Sequence, residues 1–321
     1  MVDATLAVRV VRKQVEAEGV CSLELVSASG GALPAFSAGS HIDVHLPGGL
    51  TRQYSLCNNP SEAHRYVIAV LRDPASRGGS QAVHDGVHEG DTLTISVPKN
   101  HFALAPDAQR HLLLAGGIGV TPLLAMAEQL SAQGAAFDLH YCARAKSRAA
   151  FVQRMSDAPF ASRVHMHWDD APEQPAFDVT ALLAQVQAGV HVYVCGPKGF
   201  MDFVLSTARA AGWPEAQLHF EFFGAEVAHS DSDAAFIVKI ASTGQEIQVP
   251  AEQTVVQALQ HAGIDIPIAC EQGVCGTCLT RVLEGIPDHK DMYLTPEEQA
   301  ANDQFTPCCS RAKSAVMVLD I

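Results

Sequence analysis

The sequence contains no apolar run approaching the roughly 18 residues that cross a bilayer, so a membrane-spanning helix is not expected. Its first residues, Met1-Val2-Asp3-Ala4-Thr5, show no basic stretch followed by an apolar block. A secretory signal is therefore not expected, and the chain is assigned to the cytoplasm. Positive charge is scarce. Lys and Arg number 21 against 35 Asp and Glu, a net charge of −14, which argues against a nucleic-acid backbone as the main partner. Charged residues make up only 17% and hydrophobic ones 48%, a composition too apolar for disorder. Internal repeats and low-complexity tracts are missing as well. The 15 histidines give no ligand spacing beyond His165-x-His167 and read as surface or core residues.

Cysteine, in contrast, is plentiful. There are nine, an odd number, and three of them fall between positions 270 and 278. In a reducing compartment this pattern points to a metal or redox site more than to disulfides. The segment reads Cys270-Glu-Gln-Gly-Val-Cys275-Gly-Thr-Cys278, with Cys308 and Cys309 near the end. Cys-x4-Cys-x2-Cys with a distant fourth Cys is the plant-type ligand spacing for a [2Fe–2S] cluster. Gly273 and Gly276 let such a loop turn tightly and aim N–H groups at sulfur. Structural zinc more often pairs two short Cys knuckles. A thioredoxin-like reading of Cys275-Gly-Thr-Cys278 leaves Cys270 and Cys308 idle. Cys308 is taken as the fourth ligand and Cys309 as its neighbour.

A chain of 321 residues is long enough for two or three domains at about 100–200 residues each. Residues 1–104 carry short alternating runs at 6–11, 21–25, 42–46, 66–71 and 92–97, the pattern of an antiparallel barrel or sandwich. In residues 105–224 apolar strands at 111–115, 137–142, 164–168 and 191–195 alternate with helical patterns at 122–133, 148–155 and 200–211. That alternation predicts βαβ units and a parallel sheet. Residues 225–234 are small and polar and read as a linker. Residues 235–321 are β-rich with one helix near Thr254–Ala262, and carry 5 basic against 11 acidic residues, a net −6.

Three further motifs carry chemistry. Gly116-Gly117-Ile118-Gly119-Val120-Thr121-Pro122 joins a strand to a helix, where glycines and a helix N-terminus can receive a pyrophosphate. Pro122 departs from the G-x-G-x-x-G fingerprint, and a purely structural turn fits these residues as well. Cys195-Gly196-Pro197 ends another strand, at the carboxyl edge where parallel sheets bind ligands. Alternation puts Arg52 and Tyr54 on one strand face, where a guanidinium can hold a phosphate and an aromatic face can stack on a flat ring. Arg77-Gly78-Gly79-Ser80, before a possible helix at Ser80–His84, could offer N–H groups to a phosphate. Each of these could also be an ordinary strand or turn.

Together and in this order, the motifs resemble the phthalate dioxygenase reductase family, over essentially the whole chain. The resemblance implies a multidomain fold with three parts: an antiparallel β-barrel flavin domain, an α/β parallel-sheet nucleotide domain and an α+β plant-type ferredoxin domain. It implies FMN, NADH and a [2Fe–2S] cluster as cofactors. It also implies that Arg52, Gly78, Gly79 and Ser80 hold the FMN phosphate, that Tyr54, Val70 and Leu71 line the flavin, and that Ser55 lies near its reactive nitrogen. Gly116, Gly117, Gly119 and Thr121 would take the NADH pyrophosphate, and Cys195, Gly196 and Pro197 the nicotinamide side. Glu221 and Phe223 match the stretch that reaches back over the flavin. Ser55, Cys195 and Phe223 are the implied catalytic positions, and Cys270, Cys275, Cys278 and Cys308 the implied cluster ligands.

The implied activity is an NADH-dependent reductase feeding a Rieske-type oxygenase or O-demethylase, with a cytochrome P450 or a quaternary-amine monooxygenase as alternative acceptors. Arg144, Lys146 and Arg148 follow the second parallel strand, where basic residues accommodate a 2′-phosphate, so NADPH use stays open. A monomer is expected. A Rieske centre needs two Cys and two His ligands. No Cys in the sequence has a His two residues on, so oxygenase machinery is expected on a partner. The remaining alternative is a redox-sensing module without turnover.

Overall fold

The computed structural model describes residues 5–47, 49–74, 78–171, 177–223, 233–268 and 270–321. Its contacts divide the chain into two compact units, residues 1–223 and 224–321.

The first unit opens with seven antiparallel strands. They are β1 (Thr5–Ala17), β2 (Val20–Ser27), β3 (Ser40–His45), β4 (Thr51–Ser55), β5 (Tyr66–Leu71), β6 (Thr92–Ser96) and β7 (Lys99–Asn100). Their order is β4-β3-β6-β1-β2-β5, with β7 on β3. An antiparallel bridge between Leu56, just past β4, and Ile68 of β5 brings the two ends of this order together, so the sheet closes into a barrel. Alternation fills the interior with Val8, Val10, Leu23, Leu25, Ile42, Val44, Ile68, Val70, Leu93 and Ile95. Helix α1 (Gly79–Gly86) lies between β5 and β6.

Five parallel strands follow: β8 (Arg110–Gly116), β9 (Ala136–Ala143), β10 (Val164–Trp168), β11 (Val190–Cys195) and β12 (Leu218–Glu221). The order β10-β9-β8-β11-β12 reverses direction between β8 and β11, the switch point where such sheets open a crevice. Helices α2 (Val120–Ala132), α3 (Val152–Ser156), α4 (Val179–Leu183) and α5 (Lys198–Ala210) flank it. Leu113, Leu123, Leu124, Leu139 and Tyr193 share one core with Val20, Ala38, Val67 and Phe102 of the barrel region, so the barrel and the parallel sheet are packed as one body. Leu or Phe burial contributes about 1.5–3 kcal/mol per side chain.

The expected helix over 148–155 begins only at Val152. Phe151 adopts φ +62°, a left-handed conformation that stops a helix from running through it. A 3-10 turn occupies Lys146–Arg148 instead. Helix α4 was not expected from the sequence; the Asp178 carboxylate accepts the Ala181 N–H at its start.

The second unit holds β13 (Phe236–Ile240), β14 (Glu246–Val249), β15 (Thr280–Glu284), β16 (Pro287–Asp288), β17 (Gln304–Phe305), β18 (Arg311–Ala312) and β19 (Val316–Leu319). A mixed sheet runs β14-β13-β19-β15-β17, and β16 pairs with β18. Two helices cross it, α6 (Val255–His261) and α7 (Pro296–Ala301), where the sequence pattern predicted one. Both start with a reciprocal capping box, Thr254 with Gln257 and Thr295 with Glu298. The buried Arg311 guanidinium donates to the carbonyls of Pro250, Gln253 and Ala234 and so ties three segments together. Of the residues read as a linker, 225–232 lie outside the described set.

Candidate functional site

The barrel contributes β4 to the first part of the site. In register, Arg52 lies opposite Val44, Tyr54 opposite Ile42 and Ser55 opposite His41. Arg52 and Tyr54 therefore share a face, as alternation predicted. Tyr54 packs against the barrel core, and burial pushes its hydroxyl far above the ordinary range. Arg52 runs along the first turn of α1: a Cβ at Gly79 would meet Arg52 Cγ at 2.6 Å and Nε at 2.7 Å, so only glycine admits that approach. Gly78, with φ +90°, precedes the helix in a left-handed conformation. The Ser80 hydroxyl accepts the Asp73 N–H at 3.1 Å, leaving its own proton to donate. Val70 is buried, whereas Leu71 is 42% exposed. Arg77 lies outside the described residues. A guanidinium, a bare glycine and the N–H groups of a helix start at one place form a cradle that fits the phosphate of a mononucleotide.

The carboxyl edge of the parallel sheet supplies the second part. β8 ends at Gly116, a 3-10 turn covers Gly117–Gly119, and α2 starts at Val120. Thr121 is buried and its hydroxyl donates to the Ile118 carbonyl. The neighbouring Cys195-Gly196-Pro197 turn presses directly on this one. A Cβ at Gly119 would overlap the Cys195 carbonyl, and one at Gly196 would sit 2.9 Å from the Gly116 Cα. Three of these glycines, 116, 119 and 196, are thus required by turn-on-turn packing at the switch point. Gly117, with φ +51°, faces open space.

The two parts meet at Glu221. Ser55 Oγ donates to Glu221 Oε2 at 3.2 Å, across 166 residues of sequence. Burial raises the Glu221 carboxyl from its ordinary 4.5 to about 7, and the Ser55 hydrogen bond offsets only part of that. Cys195 pairs with Glu221 in register. Its thiol is fully buried, and burial, then the Glu221 charge, push it well above the ordinary range. Burial thus favours the neutral thiol at Cys195. Phe222 is buried and Phe223 is 40% exposed.

In the second unit the four expected thiols are brought together. Cys275 contacts Cys270, Cys270 contacts Cys308, and Cys308 contacts Cys278. The hydrogen bonds from Cys275 and Cys308 push Cys270 down toward its thiolate. Backbone N–H groups of Gln272 and Thr277 point at the sulfurs of Cys270 and Cys275, at 3.3 and 3.5 Å. Gly273 and Gly276 have φ of +71° and +68°; a Cβ would strike the Cys309 sulfur at the first and the Tyr293 ring at the second. None of the nine cysteines forms a disulfide. Among the described residues no group of three His, Cys, Asp or Glu is arranged to hold a single metal ion. The thiols form a chain of pairs, which fits a two-iron cluster better than one ion. Cys309 touches Cys308 as well, and its sulfur also meets the Thr306 and Ser310 hydroxyls, which none of the other four does.

Sequence reasoning missed several neighbours. Asp291 is buried, accepts from Leu294 N and Ser310 Oγ, and holds the 289–294 segment against the cysteine loop, where Met292 N donates to Gly273 O. The one nearby sequence signal, the Thr295-x-x-Glu298 capping box, marks the start of α7 and does not point to Asp291. The histidine pairs His140–His167 (3.1 Å) and His191–His219 (2.8 Å) arise from strand register, which spacing along the chain cannot reveal.

These features define a multidomain iron–sulfur oxidoreductase. Residues 238–313 match the 2Fe-2S iron-sulfur cluster binding domain family, and residues 96–218 the N-terminal domain of dimethylamine monooxygenase subunit DmmA-like proteins. The vanillate O-demethylase oxidoreductase of Pseudomonas putida is 56% identical over 322 residues, all of both chains. A solved phthalate dioxygenase reductase, described as a modular structure for electron transfer from pyridine nucleotides to [2Fe-2S], superimposes with a TM-score of 0.79 at 38% identity. That match covers 99% of this chain and 98% of the other. An intact type IV self-sufficient cytochrome P450 monooxygenase gives 0.83 at 38% identity, covering 99% of this chain and 41% of that one. The chain belongs to the phthalate dioxygenase reductase family, the electron-transfer reductases of oxygenase systems. Among the described residues no helix is long and apolar enough to cross a membrane.

Proposed function

We propose that the chain is the NADH-dependent reductase component of a Rieske-type oxygenase or O-demethylase that acts on an aromatic acid or methyl ether. Residues 1–104 form the FMN domain, 105–224 the NADH domain and 235–321 the cluster domain. The observation that carries this reading is the Ser55–Glu221 contact, which sets the barrel motif against the carboxyl edge of the parallel sheet. Bound FMN would supply the conversion of one hydride's electron pair into two single electrons, and a [2Fe–2S] cluster would pass them on one at a time.

Arg52 and the N–H groups of Gly78, Gly79 and Ser80 bind the phosphate. Tyr54, Val70 and Leu71 line the ring. Ser55 and Glu221 hold a proton beside its reactive edge. Gly116, Gly117, Gly119 and Thr121 present the α2 start to the pyrophosphate, and Cys195, Gly196 and Pro197 shape the nicotinamide side. Phe223 covers the flavin from solvent. Cys270, Cys275, Cys278 and Cys308 ligate the cluster. The protein works as a monomer in the cytoplasm: one chain supplies motifs for all three carriers, and the thiols need a reducing compartment.

A Rieske partner is inferred because no Cys here has a His two residues on, while the end-to-end relative is named for vanillate O-demethylation. The likeness to a self-sufficient P450 favours a P450 acceptor as the second reading. The testing experiment is the spectrum of the purified protein with its FMN, iron and sulfide contents, followed by reduction of each acceptor type. A colourless, folded preparation overturns the reading.

The net −6 of residues 235–321 implies docking on a basic acceptor surface. Reduction of the oxygenase should therefore fall steeply as salt rises, while NADH–ferricyanide turnover stays nearly flat. Equal salt slopes for both reactions would remove electrostatic steering.

A further inference from the structure

We propose that Lys13 is a positioning residue for the FMN phosphate, acting through the far end of α1. The proposal rests on the cofactor reading above. The amino end of α1 lies against Arg52 at Gly79. Its carboxyl end is gripped by one side chain from a distant strand. Lys13 Nζ, on β1, donates to the carbonyls of Val83 (2.9 Å), His84 (2.7 Å) and Val87 (2.7 Å). Those three bonds use all three ammonium protons.

The last carbonyls of a helix have no partner inside it and carry the negative end of its dipole. A half-buried ammonium placed there neutralises that end and fixes the helix axis. The backbone of the same residue adds a second tie: Lys13 N donates to Glu89 Oε1 at 2.8 Å, just beyond α1. His84 Nε2 lies 2.9 Å from the Val70 carbonyl and anchors the last turn to β5. Arg72 and Asp85 form a bidentate pair, but it is exposed and contributes little. Among the described residues Lys13 is thus the main charged anchor of α1, and the opposite end of that helix carries Arg52 and the Gly78–Ser80 backbone assigned above to the phosphate. Three converging carbonyls suit a tetrahedral ammonium better than a planar guanidinium.

The test uses the full chain freed of flavin and retitrated with FMN and with riboflavin, which lacks the phosphate. Lys13→Met should weaken FMN binding about tenfold, the scale of a partly buried helix-end charge. Riboflavin binding should stay unchanged, which also shows that the variant is folded. Lys13→Arg should restore part of the FMN affinity, because the charge returns without the matching geometry. Equal weakening of both flavins assigns Lys13 a merely structural role and overturns the proposal, as does an unchanged FMN affinity. A wild-type chain that takes up neither flavin overturns the cofactor reading itself, and the proposal with it.

Discussion

Cys275→Ser is expected to collapse reduction of a one-electron protein acceptor while NADH–ferricyanide turnover survives. Cys275 is one end of the thiol chain and touches Cys270 directly. Its sulfur also receives the Thr277 N–H. A serine hydroxyl is a harder, far less acidic donor than a thiol and cannot replace it on iron. Loss of an outer partner of a metal ligand already costs about 10–100-fold, so loss of the ligand itself should exceed about 100-fold. The barrel and parallel sheet belong to the other compact unit, and their shared core contains none of the four ligating cysteines. Flavin chemistry there should be untouched. Cys309→Ser is the control. Cys309 touches Cys308 but none of Cys270, Cys275 and Cys278, and its remaining partners are the Thr306 and Ser310 hydroxyls. Its variant should keep iron, sulfide and acceptor reduction. If Cys275→Ser reduces the acceptor at the wild-type rate, the cluster is not on the route; if Cys309→Ser loses the cluster, the fourth ligand is misassigned.

The contrast between these two cysteines shows how far the sequence could be read. Spacing alone picked out the loop Cys270–Cys278, because three close ligands with two glycines satisfy a local constraint. The choice between Cys308 and Cys309 is a question of which way two adjacent side chains point, and adjacent residues of a turn have no fixed alternation. The barrel strands were legible for the same local reason: period-two alternation marks Val8 and Val10, Ile42 and Val44, Leu93 and Ile95 as inward. Closure of the barrel through Leu56 and Ile68 was not, because it depends on a twist accumulated over the whole sheet. Helix α3 was misplaced by periodicity, which carries no information about the positive φ of Phe151.

The glycines of the parallel sheet carry a second lesson. In the sequence, Gly116 and Gly119 read as openings for a pyrophosphate, with a structural turn as the alternative. Both are tied to packing against the Cys195–Pro197 turn and Phe200. That packing is what brings the two turns to one edge, so a structural demand and a binding demand fall on the same residues. Gly117 alone, facing open space with positive φ, has no packing reason to be glycine. Lys13 lies at the other extreme: one of three basic residues in a long strand, with Arg9 and Arg12, it gave no signal, because its meaning depends on three carbonyls 70 to 74 residues away.

Glu221→Gln should abolish a pH dependence that the wild-type protein shows near neutrality. The carboxyl is buried, accepts one hydrogen bond from Ser55, and has its ordinary 4.5 raised to about 7. Below about 7 it is protonated and neutral; above, it carries a charge that no cation among the described residues balances. The folded state holds a proton that the unfolded state has already lost between 4.5 and 7, so stability falls as pH rises through that window and levels off above it. The full loss is about 3 kcal/mol at 1.36 kcal/mol per unit. Glutamine carries no such proton, so in urea melts the variant should gain on the wild type by about that amount between pH 4 and pH 8. Turnover follows the same group. On the proposed cofactor placement, an ionised Glu221 would put negative charge beside the flavin edge and oppose hydride arrival. Wild-type NADH–ferricyanide turnover should therefore decline above about pH 7, the raised value of this carboxyl, while the Gln variant stays flat across that range. Identical profiles for the two proteins would show that another group titrates there and that the Ser55–Glu221 contact holds the two sheets together without tuning the chemistry between them.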